Sequence, residues 1–182
     1  MVASIIPTYS CGNTLSIIEI EKIKAAFLLL ANFNSLVFDF FSRQTVGGTH
    51  FNHWILKQMP VINSGSINKN TQKQIENNVF KLVYTSIDLK PMATEFGFNS
   101  EPFHWDEEER FQLKCELDAI YGHLYGLTRD EFDYILETFP IVKRKDMEKY
   151  GTYRTKDTIL KLFDEMDWVK EEMEKTKTEK LN

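Results

Sequence analysis

Cysteine is scarce: the 182 residues hold two, Cys11 and Cys115, far apart in the chain. That excludes a disulfide framework and a cysteine-based zinc site. The five prolines, at 7, 60, 91, 102 and 140, all stand alone. Amino methylation of adenine or cytosine needs a rigid pocket motif of adjacent prolines and an aromatic, so that motif is missing. No glycine-rich loop of the phosphate-cradling kind follows a strand and opens a helix. The longest apolar run, residues 25–31, is too short to span a bilayer. Met1 is followed by neither a basic segment nor a signal-peptide pattern, so a cytoplasmic protein without membrane contact is expected. Positive charge is also in deficit: 22 Lys and Arg against 27 Asp and Glu leave a net charge of −5. A free-standing nucleic-acid binder is usually basic.

What the chain does have is apolar mass. Apolar residues make up 42% and aromatics 13%, with 14 phenylalanines. That is enough for one globular domain, or one with a tail. Charge is segregated. Residues 1–75 carry six basic and three acidic side chains, a net of +3, so the remainder carries −8. Within that remainder, 101–118 has seven acids and two bases, while 141–156 has six bases and two acids. Two basic regions flanking an acidic helix is the pattern this implies.

The periodicities predict a mainly helical α+β fold. Residues 2–18 mix β-branched residues with Pro7, Gly12 and Asn13 and read as two short strands with a turn at 11–13. Residues 20–43 lack Pro and Gly and predict one long central helix, apolar over most of its circumference. Its narrow polar stripe is Asn32, Ser35, Asp39 and Ser42. Gly47 and Gly48 end it. Asn, Ser and Gly at 63–70 predict a linker. A bundle of about four helices with ordered loops follows: one with Ile75, Val79 and Leu82; one from Asp106 with Leu113, Leu117 and Ile120; one capped at Thr128 with Phe132, Ile135 and Leu136, ending at Pro140; one from about Thr155 with Ile159, Leu162 and Phe163. Residues 91–105 read as loop. The division expected is 1–62, linker 63–70, helical domain 71–175 and a frayed tail 176–182.

Chemistry-bearing patterns are sparse. Asp88-Leu89-Lys90 is the one acid-x-Lys triplet, and a nuclease needs further clustered carboxylates. His50 and His53 have metal-ligand spacing without a nearby acid or cysteine, so no metal is expected. His104, His123 and Cys115 read as structural. Two groups suit a nucleic acid better. Arg43, Thr49, His50 and Lys57 surround Gly47-Gly48, where the backbone can come close to a phosphate, and Gln44 and Asn52 can read base edges. The second group is Lys143, Arg144, Lys145 and Arg154, with Tyr150 and Tyr153 interleaved. The bland alternative for each is a turn or a solvated face.

Asn34-Ser35, Gly47-Gly48 and Leu56-Lys57-Gln58-Met59-Pro60 resemble the end of the target-recognition domain of restriction–modification DNA methyltransferases. Tyr84-Thr85-Ser86, Pro102-Phe103-x-Trp105-Asp106, Tyr125-Gly126-Leu127, Phe139-Pro140-Ile141-Val142-Lys143 and Tyr150-Gly151-x-Tyr153-Arg154-Thr155 resemble, in that order, the helical tail of type II-like enzymes with a fused adenine-specific methyltransferase. The resemblance covers roughly residues 2–165. It implies a partial target-recognition domain at 1–62 and a C-terminal piece without the catalytic motifs, which lie upstream in that family. No catalysis and no cofactor are then expected of this chain. S-adenosylmethionine would belong to the missing methyltransferase part. The implied partners are double-stranded DNA and the catalytic methyltransferase portion, with self-association where the 20–43 helix lacks cover. The two roles left open are DNA recognition or backbone clamping, and protein docking on the catalytic portion without DNA contact.

Overall fold

The computed structural model describes residues 2–7, 11–12, 15–45 and 53–172. Its helices are α1 (Ile23–Asn34), α2 (Leu36–Thr45), α3 (His53–Leu56), α4 (Lys69–Val83), α5 (Lys90–Glu95), α6 (Glu107–Leu124), α7 (Arg129–Glu137), α8 (Pro140–Tyr150) and α9 (Arg154–Glu165). Residues 167–172 are helical again. No strand occurs among the described residues. The fold is all-helical, not α+β, and the two predicted N-terminal strands are wrong where the chain is described. Residues 2–7 are free of helix, but a helical side chain takes the place of a neighbouring strand. Asn34 accepts the Ala3 N–H through Oδ1 and donates Nδ2–H to the Ala3 carbonyl, both at 3.0 Å. Residues 8–10 and 13–14, which include Asn13 of the predicted turn, lie outside the described residues.

The single 20–43 helix is also corrected. It is two helices, bent by 64°. Ser35 leaves the helix at φ −68°, ψ 144°, an N-cap conformation. Its Oγ donates to the Asn32 carbonyl and accepts the Phe38 N–H. The first free N–H of α2, on Leu36, donates to the carboxylate of Asp118, 2.7 Å away on α6. Propensity favours one continuous helix here; a serine cap and a carboxylate from a distant helix stabilise the break. The stripe read as polar surface turns inward, with Asn32, Ser35 and Ser42 all buried.

The central helix is α6. Every residue from Leu117 to Leu124 is buried, so this C-terminal half of α6 is enclosed on all sides and has no amphipathic face, while its first turn, at 107–109, is exposed. It packs on α2, α4 and α9. At Gly122 a Cβ would lie 2.7 Å from the Phe132 ring of α7, so glycine permits that approach. One apolar cluster runs from Phe27 and Val37 through Ile75, Phe80 and Ile120 to Ile159, Phe163 and Val169. Side chains from both sides of 63–70 enter it. Phe33, Phe38 and Met59 form a smaller satellite core beneath Ala3 and α3.

Local signals explain the boundaries. Asp106 caps α6 by accepting the Glu109 N–H at 2.7 Å. Thr128 and Glu131 form the expected capping box of α7. Pro140 does not only follow α7; it opens α8 from the first turn, where its missing N–H costs nothing. Gly151 ends α8 at φ 73°, in the left-handed region. The predicted loop at 91–105 contains α5, opened by Pro91.

Candidate functional site

The predicted DNA-binding residues fall into three sets. Gly47, Gly48, Thr49, His50 and Asn52 lie outside the described residues. Arg43 and Gln44 occupy the exposed last turn of α2, and Lys57 is exposed just after α3. Lys143, Arg144 and Lys145 sit on exposed positions of α8, and Arg154 opens α9.

Most of these cations already have acids. Arg43 pairs with Asp39 at 2.5 Å, and its guanidinium lies 4.3 Å from the Phe139 ring centroid. Lys143 pairs with Glu137 at 2.7 Å. Glu137 also takes Lys156, which reaches Asp133 as well; hydrogen bonds from Lys143 and Lys156 hold the Glu137 carboxyl below its ordinary pKa. Arg154 pairs with Glu108 and lies over the Phe111 and Tyr150 rings. The Arg154 hydrogen bond pulls the Glu108 carboxyl down in the same way. Arg144 has a loose 3.8 Å contact with Glu148, both well exposed. Lys145 and Lys57 enter no ion pair among the described residues.

Arg43 covers Phe139, the residue before α8, whereas the Lys143 ammonium turns to Glu137 and lies 5.9 Å from the Tyr153 ring centroid. Arg154 shares neither partner. It sits by Tyr150 at the other end of an 11-residue helix, about 16 Å long.

Two features went unread in the sequence. The first is an open apolar groove between α2 and α7, lined by Phe40, Phe41, Leu127, Tyr134 and Ile135 with Asp130 and Glu131 at its rim. Tyr134 is 66% exposed, and its ring meets Phe40 edge to face at 6.5 Å. The sequence signal was an aromatic at a position off the buried stripe of Phe132, Ile135 and Leu136. The second is a buried polar network. Asn32 accepts the Ile62 N–H and donates to the Tyr125 hydroxyl, which donates to the Pro60 carbonyl. Tyr121 donates to the Leu28 carbonyl at 2.7 Å. Asp118 lies beside it, and burial raises its pKa to about 7 against the opposing Leu36 N–H bond.

Other polar groups have structural partners. His123 is buried, its ring stacked on Phe163, with Nε2 2.9 Å from the Phe163 carbonyl; Nε2 therefore carries the proton, and burial lowers the ring's pKa. Burial drives the Cys115 thiol far up, which makes it a poor nucleophile. Among the described residues no group of three or more His, Cys, Asp or Glu is placed to hold a metal. Among the described residues no single helix is long and apolar enough to cross a membrane. Comparisons with protein-family models, curated proteins and solved structures find no match to this chain.

Proposed function

We propose that this chain is a helical docking module that works through protein contacts rather than by clamping DNA. The observation that carries the reading is the internal pairing of its cations: Arg43, Lys143, Lys156 and Arg154 all face acids of the same chain. Phosphate binding gains its free energy from neutralising phosphates and releasing counterions. A cation that must first leave an acid contributes less of it. Exposed apolar surface supports the same reading, with Tyr134, Ile141, Trp54 and the 15–20 segment among the exposed residues. The resemblance to restriction–modification methyltransferases rests on the residue strings alone. The partner it implies is the catalytic methyltransferase portion.

The DNA reading keeps one specific observation in its favour: Arg144 and Lys145 are exposed on α8 and weakly engaged or unpaired. Fluorescence anisotropy with duplex DNA at about 50 mM salt separates the two, because non-specific binding at ~10⁻⁴ to 10⁻⁶ M is strong there for a genuine phosphate binder. The docking reading expects no saturable binding in that range. Binding that falls steeply with salt and is abolished by Arg144→Glu with Lys145→Glu overturns it.

A further inference from the structure

Residues 15–20, Leu-Ser-Ile-Ile-Glu-Ile, are all exposed. Four of the six are large aliphatics: Leu15, Ile17, Ile18 and Ile20. The chain is tethered on both sides of them. Ahead of them the Asn34 amide holds Ala3, and Ile5 packs on the core. Behind them the Ile23 N–H reaches Glu95 as α1 begins. In between, the backbone is open. Residues 16–20 lie in no helix, turn or bend, and Lys22 is extended at φ −110°, ψ 117°. Among the described residues, no N–H or carbonyl from 16 to 21 takes part in a hydrogen bond.

Exposed aliphatics alone suit any apolar surface. A run of unpaired backbone donors and acceptors among them suits the open edge of a β-sheet. There main-chain hydrogen bonds hold an added strand, and side chains at alternate positions select it. Isoleucine favours the pleated backbone. Six residues reach about 20 Å when extended, an ordinary strand length. Among the described residues of this chain no strand is there to receive them. Alternation puts Leu15 and Ile17 on one face and Ile18 and Ile20 on the other. Both faces need cover, which a sheet packed on both sides supplies. Two copies of the segment paired together would leave those aliphatics in water, and a lone two-stranded ribbon is marginal, so a second copy is a poor occupant. Glu19 and Glu21 enter no ion pair among the described residues and favour Lys or Arg on the neighbouring strand. We infer that residues 15–20 add as a strand to the open sheet edge of a different protein. This rests on the docking reading and names the docking segment and the chemistry of its partner.

The probe is a photo-reactive phenylalanine analogue at position 16 of the full chain, irradiated in the cell that makes the protein. An adduct to one other chain is expected, and a backbone scan tests how that chain is held. Ile17, Ile18, Glu19, Ile20 and Glu21 are each changed to Pro and, separately, to Ala. Proline keeps an extended backbone but removes the N–H. Successive N–H groups of a strand point alternately toward the neighbour and away from it. Proline should therefore cut the adduct about tenfold below alanine at every second position, the scale of one lost hydrogen bond, and match alanine in between. The circular dichroism melt of each variant should equal that of the native protein, since 17–21 lie outside both apolar clusters. An adduct of twice the chain mass overturns the proposal in favour of a second copy. A proline effect at all five positions, or at none, overturns strand addition and leaves docking through side chains. The same analogue at position 134 separates the two readings. An adduct from 134 but not from 16 overturns the strand and leaves docking standing. No adduct from either position overturns both.

Discussion

A carboxylate buried against a helix start is a sensitive residue. Asp118 has an ordinary value of 3.8, raised to about 7 mainly by burial. Its folded form therefore holds a proton over a range where the unfolded chain has lost it. The associated stability is fully present below about pH 4 and declines as pH rises through about 7. Asp118→Asn keeps an acceptor for the Leu36 N–H but cannot ionise. Thermal midpoints at about pH 5 and 8 should show the native protein losing more stability with rising pH than the variant; parallel curves would remove Asp118 as the cause. Asn32 is sensitive for another reason. Replacing it with Leu leaves the Ile62 N–H without its acceptor and the Tyr125 hydroxyl without its donor. Urea unfolding should report a loss of roughly 1–3 kcal/mol, the cost of an unsatisfied buried group. Gly122→Ala presses a methyl into the fully buried Phe132 ring. A loss of about 1–3 kcal/mol is expected from overpacking. It should shrink in combination with Phe132→Leu, because the clash is between that pair.

The helices divide into those set by their own sequence and those set by neighbours. α7 is of the first kind. Thr128 and Glu131 close its capping box, and its buried face follows the helical period. Thr128→Ala should lower stability by about 1 kcal/mol in urea denaturation. The pair α1 and α2 is of the second kind. No Pro or Gly interrupts 20–43, so periodicity alone gives one helix. The bend depends on Ser35 turning its hydroxyl to the backbone and on Asp118 reaching the Leu36 N–H. That carboxylate is 82 residues away, and no local reading can supply it. The strands at 2–18 fail for a related reason. β-branched residues make a chain extended, but a sheet needs a second strand; here the Asn34 amide answers Ala3.

For the whole molecule, the net charge of −5 and the internal ion pairs act in one direction. Surface pairs contribute little stability each, yet they lower the free charge facing a polyanion. The native chain should show a shallow or undetectable salt dependence with duplex DNA. A five-phosphate contact would give a slope of roughly −4 to −5 in log affinity against log salt, and measuring that slope would reverse the docking reading. Removing acids tests the same point from the other side. Glu137→Gln with Glu108→Gln frees Lys143 and Arg154 from their acids, while Lys156 keeps Asp133, and should raise DNA affinity above that of the native chain in the same anisotropy titration.

Residue order alone determined α4, α6, α7 and α9, the caps at Asp106 and Thr128, and the buried stripes of α4, α7 and α9, because each depends on neighbours within a few positions; it missed α5 and α8, both opened by a proline that reads locally as a helix stop. It also marked Arg43, Lys143, Arg144, Lys145 and Arg154 as a concentration of cations. The tertiary structure decided which of those cations meet acids, because Glu108 and Glu137 arrive from other helices. It placed α6 rather than 20–43 at the centre, because enclosure depends on how many helices pack around a segment and not on its own apolar count. It turned Asn32 and Ser35 inward, because their partners are Tyr125, Ile62 and the helix break itself. And it made a groove of Phe40 and Tyr134, residues 94 positions apart whose meeting follows only from α2 lying along α7.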